Sequence, residues 1–366
     1  MSVAGKKKQD CCGCNACAEI CPKQCIEMRP DKKGFLYPKV DAKTCIECGL
    51  CEHVCPFPAE KSMLQRPDKA IAAWSKDPTV QQRSSSGGAA YLLSRHTIEH
   101  GGVVYGCAAD GLTVHHVRID SIEDLPRLQG SKYVQSDSRG IFAQVRADLD
   151  AGLTALFIGT PCQTAGLRRF IRRNAERLYL VDLICHGVPS QKMLRDHLSP
   201  IAKGHNVERM IFRSPGSLAL RLYEDGREFY CGDENADLYY SAFEAGKIFR
   251  PSCYRCGYAS EKRAGDITVG DFWGFKERET LPERARNGLS VILPNTEKGH
   301  ELLKSITPEL NLMERPVAEA VNGNTQLRHP LQKSRTTRIF QALYPLLPFD
   351  AAVRLSELPA KIRQKI

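Results

Sequence analysis

Two runs of cysteine, each closed by a proline, constrain this chain more than any other feature. The first is Cys11, Cys14, Cys17, Cys21-Pro22 and the second is Cys45, Cys48, Cys51, Cys55-Pro56. Each reads C-x2-C-x2-C-x3-C-P. At that spacing three thiolates on a tight turn clasp three irons of one [4Fe–4S] cube, and the fourth cysteine is carried round to the neighbouring cube. The expected ligand sets are therefore Cys11, Cys14, Cys17 and Cys55 for one cluster, and Cys45, Cys48, Cys51 and Cys21 for the other. Zinc also takes C-x2-C pairs, but as two separated pairs that close a tetrahedron. Disulfides are the remaining alternative. A chain of 366 residues does not depend on staples, and its first ten residues carry three lysines with no apolar core, so no export signal is expected. Cys12 and Cys25 fall outside the ligand register and read as small apolar fillers.

Sixteen cysteines in such a chain point to a reducing, cytoplasmic setting, to metal ligation, or to both. Lys and Arg number 52 against 42 Asp and Glu, a formal charge of +10. Nucleic acid is not the expected partner, because no zinc-finger or helix-turn-helix signature accompanies the charge. A thiolate-ligated cube carries about −2 when oxidised, so several such groups offset most of the excess. No apolar run reaches membrane-spanning length, and no transmembrane segment is expected.

Three regions are expected: 1–65 for the cluster-binding unit, 66–330 for a larger α/β domain with a mixed sheet, and 331–366 for a basic amphipathic tail. Within the first, 34–40 reads as a small hairpin strand over the clusters. In the second, strands are expected at 70–75, 103–109, 112–119, 153–158, 178–184, 207–212, 218–223, 227–231, 266–274 and 289–293. Helices are expected at 89–100, 139–151, 164–173, 235–246 and 299–306, with a polar loop after the last. The tail mixes Lys333, Arg335, Arg338, Arg354, Lys361, Arg363 and Lys365 with Phe340, Leu343, Val353, Leu355 and Ile362. It fits a membrane surface, a sister subunit or its own domain, and a homo-oligomer is expected.

Several segments read as sites. Ser84-Ser85-Ser86-Gly87-Gly88 opens a helix with free N–H groups and little bulk, a place for phosphate or pyrophosphate, although a plain flexible loop has the same composition. Ser131-Lys132-Tyr133 sets a cation beside an aromatic ring, suited to the charge of a reduced flavin or to an ordinary surface turn. Gly159-Thr160-Pro161-Cys162-Gln163 and Cys185-His186-Gly187-Val188-Pro189 follow strands, where α/β folds hold their chemistry. Removing the eight ligands above leaves Cys162, Cys185 and the isolated Cys253-x2-Cys256 as a fourfold soft donor set. It suits a third [4Fe–4S] cluster, a structural zinc or a redox-active Cys253/Cys256 pair. Clusters move single electrons and most substrates take two, so a flavin is the missing exchanger. No G-x-G-x-x-G fingerprint is present, which excludes Rossmann-type binding.

Up to about residue 330 these motifs, with Gly265-Asp266-Ile267 and Gly270-Asp271, resemble the coenzyme F420 hydrogenase/dehydrogenase beta-subunit family fused to a ferredoxin-like N-terminus. The resemblance implies an iron–sulfur flavoprotein with FAD and three [4Fe–4S] clusters. It implies that Ser85, Ser86, Gly87, Lys132 and Tyr133 line FAD, with Ser84, Gly88, Ser131, Gln163 and Asp271 expected beside them, and that Cys162, Cys185, Cys253 and Cys256 hold the domain's own cluster. The expected activity is a ferredoxin-linked, FAD-dependent oxidoreductase, fed by ferredoxin or another donor protein and passing hydride to a small-molecule substrate. His186 is the candidate proton donor, or equally a hydrogen-bond partner of the cluster, and Lys132 the cation at the ring, while Asp266 or Asp271 either orients hydroxyls or only caps a helix. Two other readings stand beside it: a beta-type subunit exchanging electrons with the deazaflavin coenzyme inside a complex, and a non-catalytic iron–sulfur scaffold.

Overall fold

A computed structural model describes residues 2–214 and 216–363, the residues from 359 on by backbone alone. Lys365 lies outside the described residues, as do the side chains of Lys361, Ile362 and Arg363. In the N-terminal unit, β1 (Ile26–Pro30) and β2 (Leu36–Val40) form an antiparallel hairpin with Ile26 opposite Val40. The two cysteine runs take the same backbone path. Gly13 and Asn15 in the first, and Glu47 and Gly49 in the second, all have positive φ, between 52° and 73°. Each path ends in one helical turn, Ala16–Glu19 or Leu50–His53. Glycine and asparagine tolerate this left-handed geometry best, which is why the turns can fold so tightly around a central group.

The body is built on eight strands: β3 (Ala70–Ser75), β4 (Val103–Asp110), β5 (Thr113–Ile119), β6 (Ala155–Gly159), β7 (Leu178–Leu183), then β11 (Ile267–Asp271), β12 (Ser290–Pro294) and β13 (Leu310–Arg315). Between β7 and β11 the chain makes a separate antiparallel sheet of β8 (Arg209–Ser214), β9 (Ser217–Glu224) and β10 (Arg227–Asp233). The large sheet has the order β13-β3-β12-β11-β7-β6-β4-β5. Its centre, β11-β7-β6-β4, is parallel and its flanks are antiparallel, so the sheet is mixed. Alternate residues of each strand supply the two faces. Val104, Leu156, Val181 and Ile267 pack under helices Ala89–Glu99 and Glu297–Ile306, whereas Val103, Tyr105, Phe157 and Leu180 face Phe142, Leu167 and Phe170. Cys12, Cys14 and Ala16 belong to this second layer, so the N-terminal unit shares the body's core.

Three local expectations change. Residues 310–315, expected as polar loop, form edge strand β13, held by six-residue pairing with β3 rather than by a buried side-chain row. Helix Gln191–Ile201, with a proline at position 200, has no counterpart among the expected elements. The helix expected from 164 starts at Pro161, where a proline at the first position and a Thr160–Gln163 capping box fix its entry. The tail packs on its own chain: Phe340, Tyr344, Phe349, Ala352 and Val353 are buried with Tyr239 and Phe249. His197 reaches Asp350 at 2.7 Å, and Lys247 reaches Glu357 at 2.6 Å. Among the described residues no helix is long and apolar enough to cross a membrane.

Candidate functional site

The folded chain gathers its cysteines into three sets. In the inner N-terminal set, burial pushes the Cys17 thiol up to about 12, with Cys11, Cys55 and Cys51 adding to the effect. A hydrogen bond with Cys12 pulls Cys14 down, but burial beside Cys55 and Cys17 leaves it raised. Cys11, Cys14, Cys17 and Cys55 are thus neighbours, as their spacing predicts. The outer set, Cys21, Cys45, Cys48 and Cys51, lines a shallow hollow of about 330 Å³, the solvent at its mouth included. Cys48 is exposed, so this set lies at the surface.

The third set is assembled by the body. Cys162 is on the first turn of helix Pro161–Phe170, not in a loop as expected, and Cys185 follows β7 directly. Cys253 lies in the short helical turn Pro251–Arg255, and Cys256 is just beyond it. Burial, then Cys162 and Cys256, pushes Cys185 up to about 12. Burial, then Cys185, Cys256 and Cys162, raises Cys253. Four thiols that mutually oppose ionisation are a donor set suited to a cationic core. Among the described residues, no three His, Cys, Asp or Glu side chains close around the position of a single metal ion.

Cys12 and Cys25 are buried as expected, but they are more than filler. The Cys25 Sγ lies 3.4 Å from the Cys21 Sγ. Cys12 packs between Cys14 of the inner set and Cys162 of the body set in one buried cluster. Cys51 and Cys17 pack in one cluster and Cys14, Cys12 and Cys162 in the next, with Ile20 touching both.

Cys162 and Cys185 also line an open cavity of about 1750 Å³, the solvent at its mouth included. Ser84, Ser85, Ser86, Gly88, Ser131, Lys132, Tyr133, Gln163, His186 and Asp271 line it too, so separate sequence segments meet in one place. The Ser131 N–H donates to the Ser85 Oγ at 2.6 Å, tying two of its walls together. Gly87 is the exception among the predicted residues. It sits beneath the cavity on the sheet, where an added Cβ would lie 2.1 Å from the Ala73 carbonyl oxygen. Its N–H donates to the Ser290 Oγ at 2.9 Å, so Gly87 anchors the loop rather than touching a ligand.

Helix Ala89–Glu99 begins at Gly88, with φ of 90° and no side-chain cap, leaving N–H groups toward the cavity. The Ser86 hydroxyl and the Gln129 side-chain nitrogen are buried without a hydrogen-bond partner. Orphaned polar atoms beside a free helix start fit a polar, anion-bearing ligand such as a flavin dinucleotide.

Lys132 is placed differently from its expected role. Its Nζ donates to the carbonyls of Arg127, Leu128 and Gln129 at 3.3, 3.2 and 2.8 Å, and burial lowers its pKa. It closes the end of helix Leu125–Leu128 from the cavity wall. The Tyr133 ring stacks on Phe243 at 4.7 Å. Gln163 receives the Thr160 N–H at 3.1 Å and donates to the Ser136 Oγ at 3.1 Å. Ser136 continues to His116 at 2.8 Å, a cavity residue with no sequence signal, because it sits mid-strand with no motif around it. Burial holds His116 near 4, so it is neutral at pH 7. His186 stands exposed to the cavity; desolvation lowers its pKa, opposed by Asp271. Asp271 pairs with Arg213, whose guanidinium lies 5.2 Å from the Trp273 ring. Asp266 is not in the cavity: it is buried, accepting from the Leu180 N–H at 2.8 Å and from Arg168 at 3.1 Å.

Known proteins bear on this geometry in three ways. The family defined by the C terminus of the coenzyme F420 hydrogenase/dehydrogenase beta subunit matches residues 153–320. A 4Fe-4S dicluster domain matches residues 10–59. The F subunit of the F(420)H(2) dehydrogenase of Methanosarcina mazei is 24% identical over 325 residues, covering 84% of this chain and 85% of its own. The I subunit of the NADH-quinone oxidoreductase of Pelobacter propionicus is 35% identical over 76 residues, covering 19% of this chain and 41% of its own. Among solved structures, a chain of the F420-reducing [NiFe] hydrogenase complex from Methanosarcina barkeri shares the fold. Its TM-score is 0.50 at 18% identity, covering 83% of this chain and 94% of that one.

Proposed function

The chain belongs to the coenzyme F420 hydrogenase/dehydrogenase beta-subunit family and carries an N-terminal two-cluster ferredoxin-like domain; from that premise we propose that it is a beta-type electron-transfer subunit exchanging electrons with a deazaflavin coenzyme through FAD. At the coarser level it is an iron–sulfur electron-transfer oxidoreductase. The observation that carries the reading is the succession of packed cysteines, Cys51 and Cys17 in one cluster and Cys14, Cys12 and Cys162 in the adjoining one, that ends in the cavity wall at Cys162.

In this reading the three cysteine sets hold [4Fe–4S] clusters, and the cavity between Ser84 and Asp271 holds FAD. When bound, the clusters supply single-electron transfer and the flavin supplies the exchange between one- and two-electron chemistry. The chain's own residues do the rest. Gly88 and the start of helix Ala89–Glu99 offer N–H groups to phosphate, and Ser86 and Gln129 offer unspent polar atoms. Tyr133, backed by Phe243, presents an aromatic wall. His186, neutral at pH 7, can hold and release a proton at a ring nitrogen facing the cavity.

The sequence alone favours a self-contained reductase, and one observation still supports it: all three thiol sets and the cavity lie in one chain. The relatives favour the reading as part of a complex, because the likeness to one component of a named dehydrogenase spans nearly the whole chain. Anaerobic purification tests the proposal. About twelve irons and one FAD per chain are expected, from four irons in each of three cubes, together with reduction or oxidation of the deazaflavin. A colourless, metal-free or zinc-only protein would overturn it. Full deazaflavin turnover by the chain alone would move the reading to the self-contained enzyme.

A further inference from the structure

Arg250 is 1% exposed, yet no carboxylate pairs with it among the described residues. Its Nε donates to the Cys11 carbonyl at 2.7 Å, and its Nη2 reaches the Leu36 carbonyl at 2.5 Å and the Cys11 Sγ at 3.7 Å. Its Nη1 donates to the Gln135 side-chain oxygen at 3.0 Å, and the rings of Tyr37 and Phe35 lie 4.5 and 5.4 Å away. The Gly13 backbone, with φ of 69°, approaches so closely that an added Cβ would sit 2.6 Å from Nη1. The charge of Arg250 also acts on Cys162 and Cys253 of the body set.

A desolvated guanidinium held by carbonyls, an amide, a cysteine sulfur and rings, with no carboxylate beside it, is costly. It becomes favourable when an anion stands beside it, and the nearest groups that can supply one are the thiolates of the inner and body sets. A second cation repeats the pattern: Lys6 donates its Nζ to the Cys55 Sγ and to the Phe57 carbonyl. The outer set differs. Among the described residues no cationic side chain hydrogen-bonds the sulfur of Cys21, Cys45, Cys48 or Cys51.

We propose that Arg250 is the shared counter-cation of the inner and body clusters, and that with Lys6 it raises their reduction potentials relative to the outer cluster. The inference rests on the reading that the thiol sets hold clusters. Each cluster gains one electron from a reduced donor protein and passes from about −2 to about −3. A buried cation stabilises the more negative form more, so reduction becomes easier. The outer set, open to solvent at Cys48, is then where the donor's electron enters, and the two inner sites draw it toward the cavity.

The test is a redox titration of the anaerobic full-length holoprotein, followed by electron paramagnetic resonance, with iron and sulfide counted on the same sample. Arg250→Gln is expected to lower the midpoints of the inner and body clusters by about tenfold or more in reduction equilibrium, about 59 mV for a one-electron couple, leaving the outer cluster as internal reference. Lys6→Gln is expected to lower the inner cluster alone, by a smaller amount. Arg250→Lys, which keeps the charge and loses the fork, is expected to recover most of the shift. Iron at the wild-type level with midpoints unchanged in Arg250→Gln overturns the proposal. If Arg250→Gln yields no holoprotein, an unchanged inner-cluster midpoint in Lys6→Gln overturns it. Absence of iron in the wild-type protein overturns the underlying cluster reading instead.

Discussion

Among the described residues Arg250 and Arg263 are each 1% exposed, and they are held in opposite ways. Arg263 lies under the sheet with its Nη2 3.0 Å from Asp182. Asp182 in turn accepts from the Thr268 hydroxyl at 2.6 Å and from the N–H groups of Ala264 and Gly265 at 3.0 and 2.9 Å. Charge and hydrogen bonds are balanced within the protein, and the pair joins β7 to the segment leading into β11. Arg250, at the seam between the N-terminal unit and the body, has hydrogen bonds but no carboxylate. A buried cation with its own anion builds the fold; one without is a socket for an anion that the chain does not encode.

The largest expected effect breaks the balanced side. Asp182→Asn leaves Arg263 buried without its counter-charge and should cost about 3–5 kcal/mol, read by denaturant unfolding. That cost should be the same with or without iron. Arg250→Met should instead destabilise only the iron-loaded protein; an equal loss in iron-free protein would erase the distinction between the two arginines.

A somewhat smaller effect comes from a third buried cation. His197 lies between Asp237 at 2.9 Å and Asp350 at 2.7 Å. Burial works against its charge, but hydrogen bonds to the two carboxylates prevail and raise its pKa to about 9. Its stabilising contribution is complete below the unfolded value of about 6.5 and is lost as pH rises through about 9. The loss should be on the order of 3 kcal/mol. Thermal unfolding between about pH 6 and 10 should show this decline, and His197→Gln should flatten it. A decline that survives the substitution would assign the pH dependence to another group. The smallest effect concerns the cavity: Ser86→Ala removes a hydroxyl with no partner in the protein. Folding stability should hold, while FAD affinity falls by about 1 kcal/mol, roughly fivefold, in equilibrium titration.

How much of this was legible in the sequence follows from what each residue depends on. The grouping of the N-terminal cysteines was readable because local spacing fixes it, and the structure brings Cys11, Cys14, Cys17 and Cys55 near one another. Strands β3 to β7 were readable because short apolar runs bounded by polar or glycine stops mark them. Edge strand β13 was not, since backbone pairing to β3 holds its outward polar residues in place. The cavity loops were visible as motifs, but the direction of each side chain was not. Lys132 turns its ammonium to three carbonyls, and Gly87 faces the sheet. Arg250 carried no motif at all; only the approach of Cys11, Leu36 and Gln135 from distant positions gives it meaning.

The C-terminal helices have a consequence for biosynthesis. Phe340, Phe349 and Val353 complete the aromatic core around Tyr239 and Phe249. On the ribosome, that core stays open until those residues emerge, long after the cysteines of the N-terminal unit have been made. The N-terminal cysteines are therefore exposed to the cell's assembly machinery before the wall of the body beside Cys253 can close.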